Sequence, residues 1–329
     1  MKYTYIVLSN DTSYWSHALQ DIQLLPDNKV IAESSLFKSK LHRRLFNLHF
    51  SRKINNLISL PKKELWWDHC FNRMPLDGYY CFIFLDGSLW LDKLIPSGLI
   101  EFLKARFKNS KFACFFSDFS SLSKTHNSLN YINNLFDIVL SYDKNQASKY
   151  NITYYPLFYS ISSPARPERE PEFDVHFTGV AKNRYSKIID LFSYLRDNDL
   201  KCDFHIVGVP IENQRFIKDI DYGPSVPYSC CLTALLNSKA IAEVVQKSST
   251  GRTFRFAEAI AYNRLLITNN TTLVDDPLFD HRYMMPYSSP EDIDIGLIKD
   301  TTPPYPYPQE AKKQLSPIHF IEFLDSYWK

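Results

Sequence analysis

Glycine is scarce, with eight residues in a chain of 329. The glycine-dependent motifs are missing with it: no G-x-G-x-x-G, no Walker loop and no G-x-S-x-G. Their absence excludes a dinucleotide fingerprint, a P-loop and a nucleophile elbow. Long apolar runs are lacking too, and none reaches the roughly 18 residues of a membrane-spanning helix. The opening stretch, Met1 to Ser9, has a short apolar run without a small-residue cleavage site, so it reads as a first β-strand rather than a signal peptide. The nine histidines are dispersed, H-E-x-x-H does not occur, and no pair has zinc-ligand spacing. Six cysteines, at 70, 81, 114, 202, 230 and 231, form no C-x-x-C pair, which points to reduced cytosolic thiols. A net charge of only +2 argues against a nucleic-acid partner.

What is plentiful is aromatic: 15% of the chain, with 24 Phe and 21 Tyr. The hydrophobic fraction of 45% and charged fraction of 22% are those of an ordinary soluble globular protein, long enough for two domains. Charge is uneven. Residues 1–170 hold 21 Lys+Arg against 15 Asp+Glu, or +6, and the remainder 17 against 21, or −4. Between Glu33 and Glu64 there is no acidic residue, but Lys38, Lys40, Arg43, Arg44, Arg52, Lys53, Lys62 and Lys63 all occur. Leu41, Leu45 and Leu48 recur among them at helical spacing, as do Ile54, Leu57 and Ile58. Two readings follow: a solvated helix covering its own domain, or a basic amphipathic segment on an anionic membrane surface.

Strand and helix patterns alternate along the chain, which predicts an α/β protein with parallel sheets. Strands are expected at Thr4–Ser9, Tyr79–Leu85, Lys111–Asp118, Phe136–Ser141 and Ile152–Tyr159, with a helix from Leu99 to Phe107 and Asp143 as a helix cap. A stiff polar linker with three prolines follows, from Ser162 to Glu172. The alternation then restarts: strands at Phe173–Gly179, Cys202–Val207, Ala240–Val245 and Leu265–Thr268, and helices at Tyr185–Arg196, Leu232–Leu236 and Thr253–Tyr262. A second Pro-rich spacer, Thr301–Pro308, precedes a terminal helix from Ile318 to Trp328. The expected domains are 1–161, a linker 162–172, 173–300, and 301–329 as spacer and helix. The Asp-x-Asp pairs at 197/199, 219/221 and 292/294 follow no apolar strand and read as solvated turns.

The strongest chemical signal lies in residues 240–270. A strand ends near Gln246, a Ser/Thr/Gly turn follows, and a helix opens at Arg252-Thr253. Free amides at such a turn, together with the helix dipole, favour an anion. Arg252 and Arg255 add fixed positive charge, and a guanidinium can hold a phosphate through two bonds. Glu258, one turn beyond Arg255, is placed either to accept from a ribose diol or to form an i,i+3 surface pair with Arg255.

Here the chain resembles GT-B glycosyltransferases of bacterial lipopolysaccharide, capsule and exopolysaccharide synthesis. The resemblance is carried by Phe136–Asp143, Tyr155–Tyr159, Phe173–Gly179 with Asn183-Arg184-Tyr185, Gly251–Ala259 and Leu266–Asn270. Residues 1–75 share little of it. It implies two Rossmann-like parallel-sheet domains facing across a cleft, the second holding a nucleotide sugar. It also implies Glu258 for ribose and Arg184, Arg252 and Arg255 for diphosphate. Gly179, Asn183, Gly208, Glu243, Thr250, Gly251 and Thr253 complete the expected donor side. The retaining enzymes of this class carry two glutamates eight positions apart. This chain has Thr250 eight residues before Glu258, and the nearest acid upstream is Glu243.

On the acceptor side, the strand ends of the first domain offer Asn10, Asp11, Asp86, Ser88, Asp118 and Asp143. Asp11, Asp86 and Asp118 are the candidate general bases of an inverting reaction. No cofactor or metal is expected, since arginines and a helix N-terminus can stabilise a diphosphate leaving group. The expected partners are a nucleotide sugar, a glycan or lipid-linked acceptor and an anionic membrane surface, with the protein cytoplasmic and peripheral at the inner face of the membrane. Two alternatives stay open: a nucleotide-sugar epimerase of the same fold, and a non-catalytic glycan-binding scaffold.

Overall fold

The structure, a computed structural model, describes residues 2–11, 13–58, 60–117, 129–162, 170–246, 251–300 and 306–329. It divides into two compact units, Met1–Tyr155 with Phe320–Lys329, and Pro156–His319. Among the described residues each unit is built on one six-stranded sheet, and every pairing in both sheets is parallel.

In the first unit the sheet order is β2-β1-β3-β4-β5-β6. The strands are β1 (Thr4–Ser9), β2 (Lys29–Ala32), β3 (Tyr79–Leu85), β4 (Asn109–Phe116), β5 (Ile138–Ser141) and β6 (Thr153–Tyr154). The central strands are apolar on both faces because both faces are covered. One face absorbs much of the aromatic excess: Phe82 stacks on Phe112 with ring centroids 5.5 Å apart, and Phe71, Trp90 and Phe107 pack in the same cluster. On the other face lies the terminal helix Pro317–Tyr327, where Phe320 packs on Phe115 and Asp325 accepts a 2.6 Å hydrogen bond from the Tyr5 hydroxyl. That burial explains why the last ten residues belong to the first unit.

In the second unit the order is β12-β11-β10-β7-β8-β9. The strands are β7 (Phe173–Val180), β8 (Cys202–Val207), β9 (Ile220–Gly223), β10 (Ser238–Glu243), β11 (Leu265–Thr268) and β12 (Met284–Pro286). The Tyr185–Asp197 helix buries Ile188, Leu191, Phe192 and Leu195 against one face, as its 3.6-residue period predicts. The opposite face holds a polar ladder under the Tyr228–Leu236 and Phe254–Tyr262 helices.

Several boundaries differ from the sequence reading. The Ile152–Tyr159 strand pairs only at Thr153–Tyr154. Pro156 has no amide to give, and the Tyr159 amide donates to Leu315 O at 2.9 Å, inside the second unit. The first unit therefore ends at Tyr155 rather than at 161. Most of the proline linker and the start of the second spacer lie outside the described residues. The short strands β2, β9 and β12 carry no strong alternation and were not expected. Of the Asp219/Asp221 pair, Asp219 lies in an exposed turn as expected, whereas Asp221, also exposed, lies on β9, where its carboxylate meets His205 Nδ1 at 2.6 Å.

Candidate functional site

In an open parallel sheet, ligands bind beyond the carboxyl ends of the strands, where the strand order reverses. In the second unit that point lies between β7 and β10. β7 continues to β8 on one side, and β10 continues to β11 on the other. Arg184 spans the gap. Its Nε and Nη2 donate to Val180 O at 3.3 and 3.2 Å, and its Nη1 donates to Val244 O. Carbonyls hold the guanidinium without neutralising it. Burial lowers its pKa, with Arg255 adding to the shift and the nearby Glu243 carboxylate only partly opposing it. An arginine so placed stays charged.

Gly179 leaves room for this crossing. A Cβ there would come within 3.1 Å of Arg184 Nη2 and 3.2 Å of the Phe177 ring. Asn183, beside it, is exposed. Gly208, at the end of β8, has φ +80°, the left-handed region that glycine enters without strain.

Glu243 ends β10 and is buried, and its two oxygens accept from the Thr253 and Thr268 hydroxyls. Burial pushes its pKa above the ordinary carboxylate range, against those hydrogen bonds and the charges of Arg255 and Arg184. Thr253, expected to touch the donor, caps the Phe254–Tyr262 helix instead. Its Oγ1 accepts from the amides of Arg255 at 3.1 Å and Phe256 at 3.4 Å, so these two amides of the first helical turn are already bonded, while residues 247–250 of the preceding turn lie outside the described residues. Thr250 lies outside the described residues.

Arg252 and Glu258 are placed differently from expectation. The Arg252 fork closes on Asp276, with two bonds of 2.7 Å, and both side chains are buried. The charge expected to meet a diphosphate is therefore already paired and ties the turn at Gly251 to the loop after β11. Glu258 is fully buried. One oxygen accepts from the Tyr228 hydroxyl at 2.5 Å and the other from Arg255 Nη1 at 2.6 Å. The i,i+3 pair exists, but in the interior, where the carboxylate holds Arg255. Arg255 Nη2 also donates to Thr178 O at 3.2 Å, and its side chain keeps 21% exposure at the edge of the strand ends.

Beneath this pair runs a polar chain that the sequence did not announce. Tyr159 links Tyr228 and Tyr262 through hydroxyl contacts of 2.7 and 2.9 Å. Burial and the negative Glu258 push the Tyr159 and Tyr228 phenols far above their usual range. His176, two residues before Thr178 on β7, lies between Asp203 (Nδ1, 2.8 Å) and the Thr178 hydroxyl (Nε2, 2.9 Å). Burial lowers its pKa, outweighing Asp203. The signal available in the sequence was period two: His176 and Thr178 share a face of β7, and Asp203 pairs with His176 on β8.

In the first unit the order reverses between β1 and β3. Asn10 Nδ2 reaches Gly87 O at 3.5 Å across that point. Asp11 is exposed and accepts from the Ser34 amide at 2.8 Å. Asp86 is buried and accepts from the Ser117 amide (3.0 Å) and hydroxyl (2.7 Å), fastening the end of β4. Asp118 lies outside the described residues, and Asp143 caps the Lys144–Tyr150 helix. A further carboxylate, Glu33, was missed. It is buried at the end of β2, accepts from the Leu89 amide at 2.5 Å, and is pushed above the ordinary range by burial, with Asp11 and Asp92 adding to the shift.

No family model matches the sequence, and no curated protein is significantly similar to it. Solved structures do match. The fold is that of two-domain GT-B glycosyltransferases. An α-glucosyltransferase solved with UDP and a 13-mer DNA containing an HMU base aligns over 99% of this chain and 100% of that one, with TM-score 0.58 and 13% identity. Sucrose-phosphate synthase from Thermosynechococcus elongatus aligns over 99% and 98%, with TM-score 0.51 and 11% identity. TarM aligns over 76% of this chain, which spans 54% of TarM's length, with TM-score 0.47 and 12% identity.

Proposed function

We propose that the protein is a glycosyltransferase that moves a sugar from a nucleotide donor to a glycan or lipid-linked glycan. The observation carrying this reading is Arg184: a guanidinium held by carbonyls at the switch point of a Rossmann-ordered sheet, with Gly179 clearing its path. A diphosphate beyond β7 would accept from that guanidinium and from the exposed edge of Arg255, and the leaving group would be stabilised by these charges without a metal. Glu258 then acts as a positioning residue for Arg255. The first unit would supply the acceptor side, with Asp11, Asp86 and Glu33 as candidate bases. A bacterial surface polysaccharide is the proposed product, made at the inner face of the membrane, where the acid-free stretch 34–63 is attracted to anionic lipid.

The test is a thermal-shift screen of UDP-, GDP-, TDP- and CMP-sugars followed by donor hydrolysis on the responding nucleotide. Specific binding raises the melting temperature by mass action. Silence toward all four contradicts the proposal. Binding without turnover favours the scaffold alternative. Because one structural neighbour was solved with DNA, the acceptor panel includes hydroxymethylated duplex DNA beside lipid-linked glycans.

A further inference from the structure

The structure decides which way the leucines of the acid-free stretch face. The Lys40–His49 helix is anchored through aromatic rings: Phe46 is buried, stacks on Phe50 at 4.4 Å and meets Phe37 and Trp66 edge-on at 5.1 and 5.3 Å. At about 100° per residue, Leu41, Leu45 and Leu48 fall together on a face roughly a third of a turn away. They face solvent, as do Leu57, Ile58 and Leu65, with exposures from 50% at Leu45 to 86% at Leu57. In the same stretch Lys38, Lys40, Arg43, Arg44, Lys53 and Lys62 are exposed, and Glu64 is the one acidic residue between Ser34 and Trp67. Leucines that cover their own core are not exposed to this extent.

We propose that this segment is a membrane-docking face that inserts its leucines among the acyl chains of an anionic lipid surface while the cations meet the headgroups. The inference rests on the membrane placement proposed above and deepens it from attraction to insertion. Charge complementarity selects anionic lipid. The aliphatic side chains select a bilayer over a nucleic acid, whose phosphates call for cations and hydrogen-bond donors without exposed leucine.

The test is flotation of the full chain with phosphatidylcholine vesicles, with and without about a third phosphatidylglycerol, at roughly 0.1 M and 1 M salt. Wild type binds only the anionic vesicles, and a salt-resistant fraction remains. The Leu41→Gln/Leu45→Gln/Leu48→Gln variant keeps the wild-type melting temperature, loses the salt-resistant fraction and binds at least about tenfold more weakly at low salt. Should that variant melt early, Leu57→Gln/Ile58→Gln carries the same test at the most exposed positions. Undiminished binding of the variants, complete release of wild type by salt, a wild-type dimer that the substitutions dissociate, or DNA binding in place of vesicle binding each overturns the proposal. Donor hydrolysis without vesicles is read on the same preparations. If the transferase reading fails, hydrolysis is absent and the flotation pattern stands; if docking fails, hydrolysis persists without it.

Discussion

The two units reverse their strand order with opposite chemistry at the turning point. In the second, a guanidinium bridges Val180 and Val244, and both nearby carboxylates, Glu243 and Glu258, are buried behind hydroxyls and Arg255. In the first, no arginine occupies the corresponding gap among the described residues, and Asp11, Asp86 and Glu33 end or flank β1, β3 and β2. One topology thus presents a cation at one sheet and carboxylates at the other. A group that leaves as a diphosphate needs the first, and a hydroxyl that must lose a proton needs the second. Neighbouring arginines also differ in how they are held. Arg252 and Arg255 are three residues apart, yet one is closed on Asp276 and the other keeps an exposed edge.

The largest effect is expected at Glu258, the buried half of the Arg255 pair. Glu258→Ala leaves Arg255 uncompensated and removes one hydrogen-bond partner of the Tyr228 hydroxyl, at a cost of about 3–5 kcal/mol. Denaturant unfolding measures it. A loss below 1 kcal/mol means the carboxylate is not the keystone described. Next is the Arg252–Asp276 fork: Arg252→Ala is expected to cost about 3 kcal/mol, and the double variant with Asp276→Ala less than the sum of the singles. Additive losses with weakened nucleotide binding would return Arg252 to the ligand side of the comparison.

Gly179→Ala sharpens the other side. The added methyl meets Arg184 Nη2 and Phe177, so the guanidinium must shift, and nucleotide affinity is expected to fall severalfold with little change in melting temperature. Calorimetric titration reads the first and a melt the second. The smallest effect concerns pH. His176 has a folded-state pKa below its ordinary value of 6.5, so its neutral form contributes stability that is complete above that value and is lost as pH falls through the folded value. Stability measured from pH 7 down to 5 therefore falls less steeply in His176→Gln than in wild type. Identical slopes would remove His176 from the account.

Much of the fold was legible because buried parallel strands announce themselves. Tyr79–Leu85 and Leu265–Thr268 are uninterrupted apolar or β-branched runs, Phe173–Gly179 alternates apolar and polar residues, and each is a strand. The edge strands β2, β9 and β12 were not legible, since three or four paired residues leave no period to detect. The site was legible in part. The Gly179–Arg184 stretch and the 251–258 turn were singled out, but the allocation of roles among their arginines was not. Arg252 is closed by Asp276, a residue 24 positions away, and Glu258 is held by Tyr228, 30 away, so spacing alone could not tell which guanidinium is closed by a distant carboxylate. Leu41, Leu45 and Leu48 show the same limit. Their period predicts a helix face and does not say whether that face is inside or out.

The central claim is that the second unit's switch point binds the diphosphate and the first unit's does not. Isothermal titration of the nucleotide identified by the thermal-shift screen into wild type, Arg184→Ala and Asp86→Asn tests it directly. The account predicts at least a tenfold loss of affinity for Arg184→Ala, about the worth of one charge-assisted hydrogen bond, and wild-type affinity for Asp86→Asn. Equal affinities for wild type and Arg184→Ala, or a loss confined to Asp86→Asn, would contradict it.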